Sequence, residues 1–281
     1  MMIVADLHVH TRASDGLVTP EEVVRLAREK QLQAIAICDH DTTDGIKAAL
    51  NAGKKYGLTV YPGIEFSTEY EDKEIHILGY GFDYTCEKLL ALCRKINAGR
   101  GVRMEKMVQK MQQLGYSIGV DDVLRHARGA APSRPHVARA LVEKGYFPTV
   151  KDVFTALLEP GKPAYVERYK LTPKEAITVL LEAGGFAVWA HPALVGDDSL
   201  LSLFLSWGLQ GLEVYHPDHT AEAEEYYLHL ARKHKLLVTG GSDYHGKEAG
   251  ATRALGVKGL QAEDFTAFAG AVLKSTKTGK L

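Results

Sequence analysis

Short apolar runs of strand length recur along this 281-residue chain, and nearly every one ends at, or contains, a histidine or an acid. Residues 3–7 lead into His8 and His10, and residues 34–38 into Asp39-His40-Asp41. Residues 58–61 are followed, after Pro62-Gly63, by Glu65, and residues 74–78 contain His76. Residues 186–190 run into His191-Pro192, residues 212–215 into His216-Pro217, and residues 236–239 are followed by Asp243 and His245. Helical patterns lie between most of these runs. Thr19-Pro20-Glu21-Glu22 and Thr172-Pro173-Lys174-Glu175 both have the N-cap, N1 proline and N3 glutamate of a capping box. Residues 44–56 form a further helix closed by Gly57, and residues 221–234 another. Strands separated by helices of this length predict an α/β domain of barrel-like form, with parallel pairing and right-handed crossovers. In such a barrel the carboxyl ends of the strands share one face, where active sites assemble.

A packed core gives no reason to place ionisable groups at so many strand ends. A buried charge is unfavourable unless it is paired or bound to a metal. His8 and His10 are two apart in an extended chain and therefore point the same way, towards one common ion. Asp15 lies in the loop just beyond them, and Asp243 and His245 repeat the two-residue spacing. The chain also has the resources of an ordinary globular protein, with 46% hydrophobic and 25% charged residues. Its three cysteines are odd in number and lack CxxC spacing, so neither a disulfide framework nor a Cys-type zinc site is expected, and the cytoplasm is the natural compartment. The N-terminus has no basic leader, and the most apolar stretch, residues 200–205, contains Ser202 and is followed by Gly208 and Gly211. No membrane association is expected, and no obligate protein partner is evident.

From about residue 94 to 163 the rhythm changes to helices only, at residues 100–114, 120–127, 135–144 and 151–158. This reads as a helical insertion, residues 96–164, between two parts of one barrel, residues 1–95 and 165–281. The insertion is basic: residues 94–150 hold 11 Lys/Arg against 4 Asp/Glu. A basic segment over an otherwise acidic body suits an anionic substrate lying above metal cations.

The segments Asp6-Leu7-His8-Val9-His10, Asp39-His40-Asp41, Gly63-Ile64-Glu65, His191-Pro192 and Gly241-Ser242-Asp243-Tyr244-His245 together resemble the PHP family, named for polymerase and histidinol phosphatase. Pro132-Ser133-Arg134-Pro135-His136-Val137-Ala138, with His216 to His219, is similar to its stand-alone branch of nucleotide phosphatases and 5′-3′ exoribonucleases. The resemblance implies a distorted (β/α)7 barrel with two to three divalent metals. His8, His10, Glu65 and Asp243 would hold one, Asp15, His40 and His245 a second, and Glu65, His76 and His191 a third. Asp15 stands where many relatives have histidine. A mixed His/carboxylate set favours Mn²⁺, Fe²⁺ or Zn²⁺ over Mg²⁺.

There is no GxSxG elbow and no P-loop, so the expected attack on phosphorus is by metal-bound hydroxide. Arg134, His136 and His216 are candidate phosphate contacts, with His216 also a candidate proton donor. Asp6 and Asp39 are expected to orient ligating imidazoles. Arg100 and Arg103 read as a solvated helix face, and Tyr146, Phe147 and Tyr169 as core or rim aromatics. The expected reaction is hydrolysis of nucleotide phosphate monoesters, 5′-monophosphates or 3′,5′-bisphosphates. The alternatives are 5′-3′ cleavage of short 5′-phosphorylated oligonucleotides, histidinol-phosphate hydrolysis, and a non-catalytic metal-binding module.

Overall fold

The computed structural model describes residues 2–167, 169–246 and 253–278, with side chains to residue 273. Seven strands form one sheet in chain order: β1 (Ala5–Val9), β2 (Ala34–Ile37), β3 (Thr59–Tyr70), β4 (Lys73–Tyr80), β5 (Phe186–Trp189), β6 (Gly211–Tyr215) and β7 (Leu237–Gly240). The sheet curls until the chain after β7 meets β1. Val9 bridges Tyr244, and His10 N–H donates to the Tyr244 carbonyl at 2.9 Å. The result is a nearly closed α/β barrel.

Pairing is parallel for β1–β2–β3 and for β5–β6–β7. Strand β4 departs from the parallel expectation and runs antiparallel to both neighbours. The cause is a two-residue turn at Glu71-Asp72, both with positive φ (48° and 60°), which folds β3 directly back into β4. Such a turn matches the twist of a hairpin, but Glu-Asp is a weaker signal for it than Asn-Gly or Asp-Gly. Strand β3 is also longer than expected, so Glu65 lies within it rather than after it.

Helices α1 (Pro20–Glu29) and α2 (Ile46–Tyr56) cover β1–β3 with a cluster of Val23, Val24, Ala49, Ile35 and Ile37. Thr19 caps α1, and Gly57 closes α2 in the left-handed conformation, φ 67°. The 27-residue α3 (Glu87–Gln113) spans roughly 40 Å at 1.5 Å per residue. Its first half, Leu89, Cys93 and Ile96, packs with the barrel, and its second half, Met104, Met107 and Met111, packs elsewhere. That second cluster gathers residues of α4 (Val120–Ala127), α5 (Arg134–Glu143), α6 (Val150–Val153) and the π-turn that continues α6 over Phe154–Leu158. The helix expected at residues 100–114 is therefore the far half of a longer rod shared by barrel and insertion.

The chain returns through α7 (Pro173–Glu182), α8 (Leu200–Ser206) and α9 (Ala221–His234), which shield β4–β7. Phe268 of α10 (Ala262–Thr278) joins Leu7, Ala36, Leu78, Tyr80 and Val188 in a cluster of its own. No helix among the described residues is long and apolar enough to cross a membrane.

Barrel closure leaves no room at Gly241, where an added Cβ would lie 2.3 Å from the His8 backbone nitrogen. Gly101, on α3, has nothing within 4 Å. Gly241→Ala is expected to lose about 1–3 kcal/mol in urea unfolding through overpacking. Gly101→Ala is expected to be neutral or to gain up to about 1 kcal/mol from helix propensity. Equal stability of the two variants would show that β1 and the chain after β7 are not in contact.

Candidate metal centre

The strand order brings the scattered ionisable groups into one cavity. Alternation along β1 sends His8 and His10 to the same face, with ring centroids 5.1 Å apart. Glu65, in the middle of β3 and 1% exposed, is the hub. Its Oε2 lies 3.2 Å from His8 Nε2, 3.2 Å from His10 Nε2 and 3.2 Å from His40 Nδ1. Its Oε1 lies 2.8 Å from His76 Nδ1 and 3.1 Å from His191 Nε2. Asp243, held at φ 49°, brings Oδ1 to 3.1 Å from His10 Nε2 and 3.6 Å from His8 Nε2. Asp15 Oδ1 lies 3.3 Å from His245 Nε2.

Among the described residues, three groups have donor atoms within 4.8 Å of one another: His8, His10, Glu65 and Asp243; His10, Asp15, His40 and His245; and His40, Glu65 and His76. The first is the set expected from sequence. The second gains His10. In the third, His40 takes the place expected for His191, whose ring reaches Glu65 from the other side.

Several of these atoms are buried without a hydrogen bond, including Nε2 of His8 and His10, Oδ1 of Asp15 and Oε2 of Glu65. Buried polar atoms are almost always satisfied. Lone pairs that converge on common points rather than on donors have the chemistry of a cation site, and an imidazole–carboxylate set suits divalent cations. Burial alone would raise the Glu65 carboxyl, but the surrounding His40, His8 and His76 rings hold it well below the usual carboxylate range. Burial disfavours charge on His8, yet Glu213 and Glu65 lift it well above 6.5. In His76 burial is likewise overcome, chiefly by Glu65, and the ring is raised to about 9. Burial prevails in His40 and His191, lowered to about 3 and about 4, so both are neutral and present a lone pair.

Asp6 and Asp39 do not orient imidazoles. Asp6 accepts from Ser242 N at 2.9 Å, Ser242 Oγ at 2.6 Å and Gly256 N at 2.8 Å, and so fixes the loop that carries Asp243. Asp39 accepts from Thr11 N and Oγ1, both at 2.7 Å, and from Ser14 Oγ at 2.6 Å, fixing the loop that carries Asp15. The carboxylate that does orient an imidazole is Glu213 on β6. It takes His8 Nδ1 at 2.9 Å and the backbone N–H of His191 at 2.9 Å. Sequence reasoning passed over it, although an acid at the centre of the apolar strand Gly211-Leu212-Glu213-Val214-Tyr215 was a visible signal.

His216 is buried with its Nε2 3.6 Å from Asp243 Oδ2. The Asp218 N–H donates to its Nδ1 at 3.1 Å, so the neutral ring carries its proton on Nε2. Burial lowers its pKa to about 4. It therefore faces the centre as a hydrogen-bond donor. Arg253, a second residue missed from sequence, pairs with both Asp243 and Asp218.

A cavity of about 260 Å³ opens on His40, His76, Asp15 and His245, is roofed by the insertion through Arg100, Arg103, Arg134 and Phe154, and is also lined by Tyr169. Arg134 lines it, its guanidinium 3.1 Å from Glu74 Oε2 and 5.6 Å from the Phe154 ring. His136 does not line it. That ring is 1% exposed, and its Nδ1 accepts from Ser133 N at 3.1 Å as part of the α5 cap, so its expected phosphate contact is withdrawn. Arg100 and Arg103 are not a solvated face: Arg100 pairs with buried Asp41, and Arg103 Nε donates to the Val166 carbonyl at 2.7 Å. Tyr169 reaches the cavity, whereas Tyr146 and Phe147 pack on Tyr116 at 5.2 and 5.8 Å.

Known proteins share this architecture. The PHP domain profile matches residues 6–95. The phosphoribosyl 1,2-cyclic phosphate 1,2-diphosphodiesterase of Eggerthella lenta is 33% identical over 87% of this chain and 95% of its own. The 5′-3′ exoribonuclease Rnm of Salmonella typhimurium is 36% identical over 86% of this chain and 85% of its own. The 3′,5′-nucleoside bisphosphate phosphatase of Chromobacterium violaceum is 33% identical over 89% and 92%. A crystal structure from Bifidobacterium adolescentis, described as a metal-dependent phosphoesterase, superposes with a TM-score of 0.88 at 34% identity over 94% of both chains. The chain therefore belongs to the PHP family and is a metal-dependent phosphoesterase.

Proposed function

We propose that this phosphoesterase hydrolyses phosphate monoesters of nucleotides, with 5′-monophosphates or 3′,5′-bisphosphates as substrates. Two to three divalent cations, Mn²⁺, Fe²⁺ or Zn²⁺, would be held by His8, His10, Asp15, His40, Glu65, His76, His191, Asp243 and His245. The observation that carries the reading is the junction of a five-imidazole carboxylate hub with an arginine- and aromatic-lined cavity of one-nucleotide scale. Cations bound there would neutralise phosphate charge and acidify a water.

The chain's own side chains supply the remaining requirements. Arg134 presents a guanidinium fork that matches phosphate oxygens and now pairs with Glu74, a carboxylate of similar geometry that a substrate phosphate would replace. Phe154 and Tyr169 offer ring faces for a base. His216 keeps its proton on Nε2 beside Asp243, where the neutral ring can donate a hydrogen bond to a phosphate oxygen of the substrate. Glu213 keeps the His8 ring aimed at the hub through Nδ1. The similarity to a bisphosphate phosphatase and an exoribonuclease supports nucleotide substrates over histidinol phosphate.

Three outcomes are expected. First, Mn²⁺-loaded protein offered AMP, adenosine 3′,5′-bisphosphate, a 5′-phosphorylated dinucleotide and histidinol phosphate should release phosphate from at least one nucleotide, measured colorimetrically. Silence on all four with Mn²⁺, Fe²⁺ and Zn²⁺ would favour a binding module without catalysis. Second, His216→Ala should lower kcat on AMP about 10²–10³-fold, the scale of losing one hydrogen-bond donor to transition-state charge. The loss should persist with p-nitrophenyl phosphate, which keeps the same phosphate oxygens; an unchanged kcat on both substrates would remove His216 as a phosphate contact. Third, Glu213 and Glu65 lift His8 well above its usual pKa, which favours a proton on that ring. Mn²⁺ uptake must expel it, and affinity should rise with pH. Calorimetry in two buffers of different ionisation heat should show proton release at pH 7. Glu213→Gln lowers the His8 pKa, so it should release fewer protons; unchanged release would count against the Glu213–His8 pair.

A further inference from the structure

Asp15 and His245 face two cavities. Beside the arginine cavity described above lies a larger one, of about 790 Å³, and the two meet at Asp15, Pro135 and His245. The first turns of α5 divide them. Arg134 lines the smaller cavity and Arg139 the larger. Five residues apart at roughly 100° per residue, these two side chains leave the helix in different directions.

The larger cavity is cationic. Arg139 donates from Nη1 to the Asp15 carbonyl at 3.0 Å, which fixes the wall between cavity and metal centre. Arg128 and Lys151 line the far part, and neither has an ion-pair partner among the described residues. Arg128 is held outward by the left-handed turn that ends α4, φ 51°. The acid there, Glu143, is already paired with His126 at 3.0 Å. Leu17, Pro148 and Val142 complete an apolar floor with no aromatic ring in it.

We infer that this second cavity binds the part of the substrate beyond the reacting ester, through a second phosphate held by Arg128 and Lys151. The inference rests on the phosphoesterase reading above and extends it. A cavity that shares a rim with the ester-cleaving centre and carries unpaired cations selects a substrate with more than one phosphate. Its volume is within the range of about 300–1,000 Å³ that takes ligands larger than a single phosphate. The smaller cavity, with Phe154 and Tyr169, takes a base; the larger, lacking aromatics, takes sugar and phosphate. The second phosphate is either the internucleotide phosphate of a short chain or the terminal phosphate of a bisphosphonucleotide. The chemistry of recognition is the same for both.

The test measures binding rather than turnover, using the full chain in EDTA. A 5′-phosphorylated RNA tetranucleotide with a 3′ fluorophore is followed by anisotropy, and adenosine 3′,5′-bisphosphate and AMP compete it off. The Arg128→Ala/Lys151→Ala double variant, checked for fold by circular dichroism, should bind the tetranucleotide or the bisphosphate at least tenfold more weakly. Its preference for that ligand over AMP should fall at least fivefold. The slope of log Kd against log salt for the tetranucleotide should flatten by roughly 0.7 per lost phosphate contact. Loss confined to the bisphosphate identifies a terminal phosphate, and loss on the tetranucleotide an internucleotide one. Unchanged affinity for both, or the same proportional loss for AMP, overturns the inference. Because hydrolysis is not read, an inactive protein that still shows the selective loss would reject the catalytic reading and leave the second cavity standing.

Discussion

One carboxylate organises the centre. Glu65 is almost wholly buried and contacts five imidazoles with its two oxygens, and no neighbouring hydroxyl or backbone donor takes its Oε2. In a low-dielectric interior such a group is tolerable only if positive charge surrounds it. Two rings supply some: His8 and His76 are lifted towards their charged forms by this same carboxylate and its neighbours Glu213 and Glu74. His40 and His191 stay neutral, with lone pairs turned inward. The same surroundings that favour protons on His8 and His76 would favour a bound cation. The barrel must hold these groups against their mutual desolvation, which explains why so much buried hydrogen bonding around them, from Asp6, Asp39 and Glu213, is spent on fixing loops and rings.

Much of this was legible in the chain because the signals were local. His8-Val9-His10 and Asp243-Tyr244-His245 declare their facing by two-residue spacing, and the capping boxes at Thr19 and Thr172 mark where helices α1 and α7 begin. What stayed hidden depended on three-dimensional neighbours. Glu213 gains its meaning from His8, 205 positions away. Asp6 and Asp39 stand near ligand histidines in sequence, but their donors, Ser242 and Gly256 for one and Thr11 and Ser14 for the other, come from loops distant in the chain. The reversal of β4 depended on two positive φ angles at Glu71 and Asp72, residue types that seldom announce such a turn. His136 was attractive as a polar residue near Arg134, but the same proximity to Ser133 made it a cap.

The insertion is joined to the barrel by more than its two chain crossings. The rod α3 enters both cores, and midway along it Arg100 reaches Asp41, the residue after His40. Asp41 Oδ1 also accepts from Ser67 N at 3.0 Å, and Asn97 donates to the Asp41 carbonyl at 3.3 Å. Asp41 has positive φ, 56°, which sets the direction in which the His40 loop leaves the strand. The position of the roof and the aim of one imidazole are therefore fixed by the same buried pair. A displacement of α3 would be felt at His40 before it reached any residue nearer the barrel axis.

This division of labour bears on how one centre serves different phosphate esters. The phosphoryl group is chemically constant, and the candidate metal ligands beside which it would lie come from the barrel, where strand ends hold them rigidly. What varies between substrates lies on either side of the phosphorus, and there the walls come from the insertion: Arg134 and Phe154 on one side, Arg128, Arg139 and Lys151 on the other. Those walls stand on a separate core of Met, Val and Leu side chains that contributes nothing to the barrel. Substitutions there can reshape either cavity while the Glu65 hub keeps its geometry. A fold arranged in this way can change the ester it selects by altering a helical roof, leaving the costly buried charge cluster beneath it untouched.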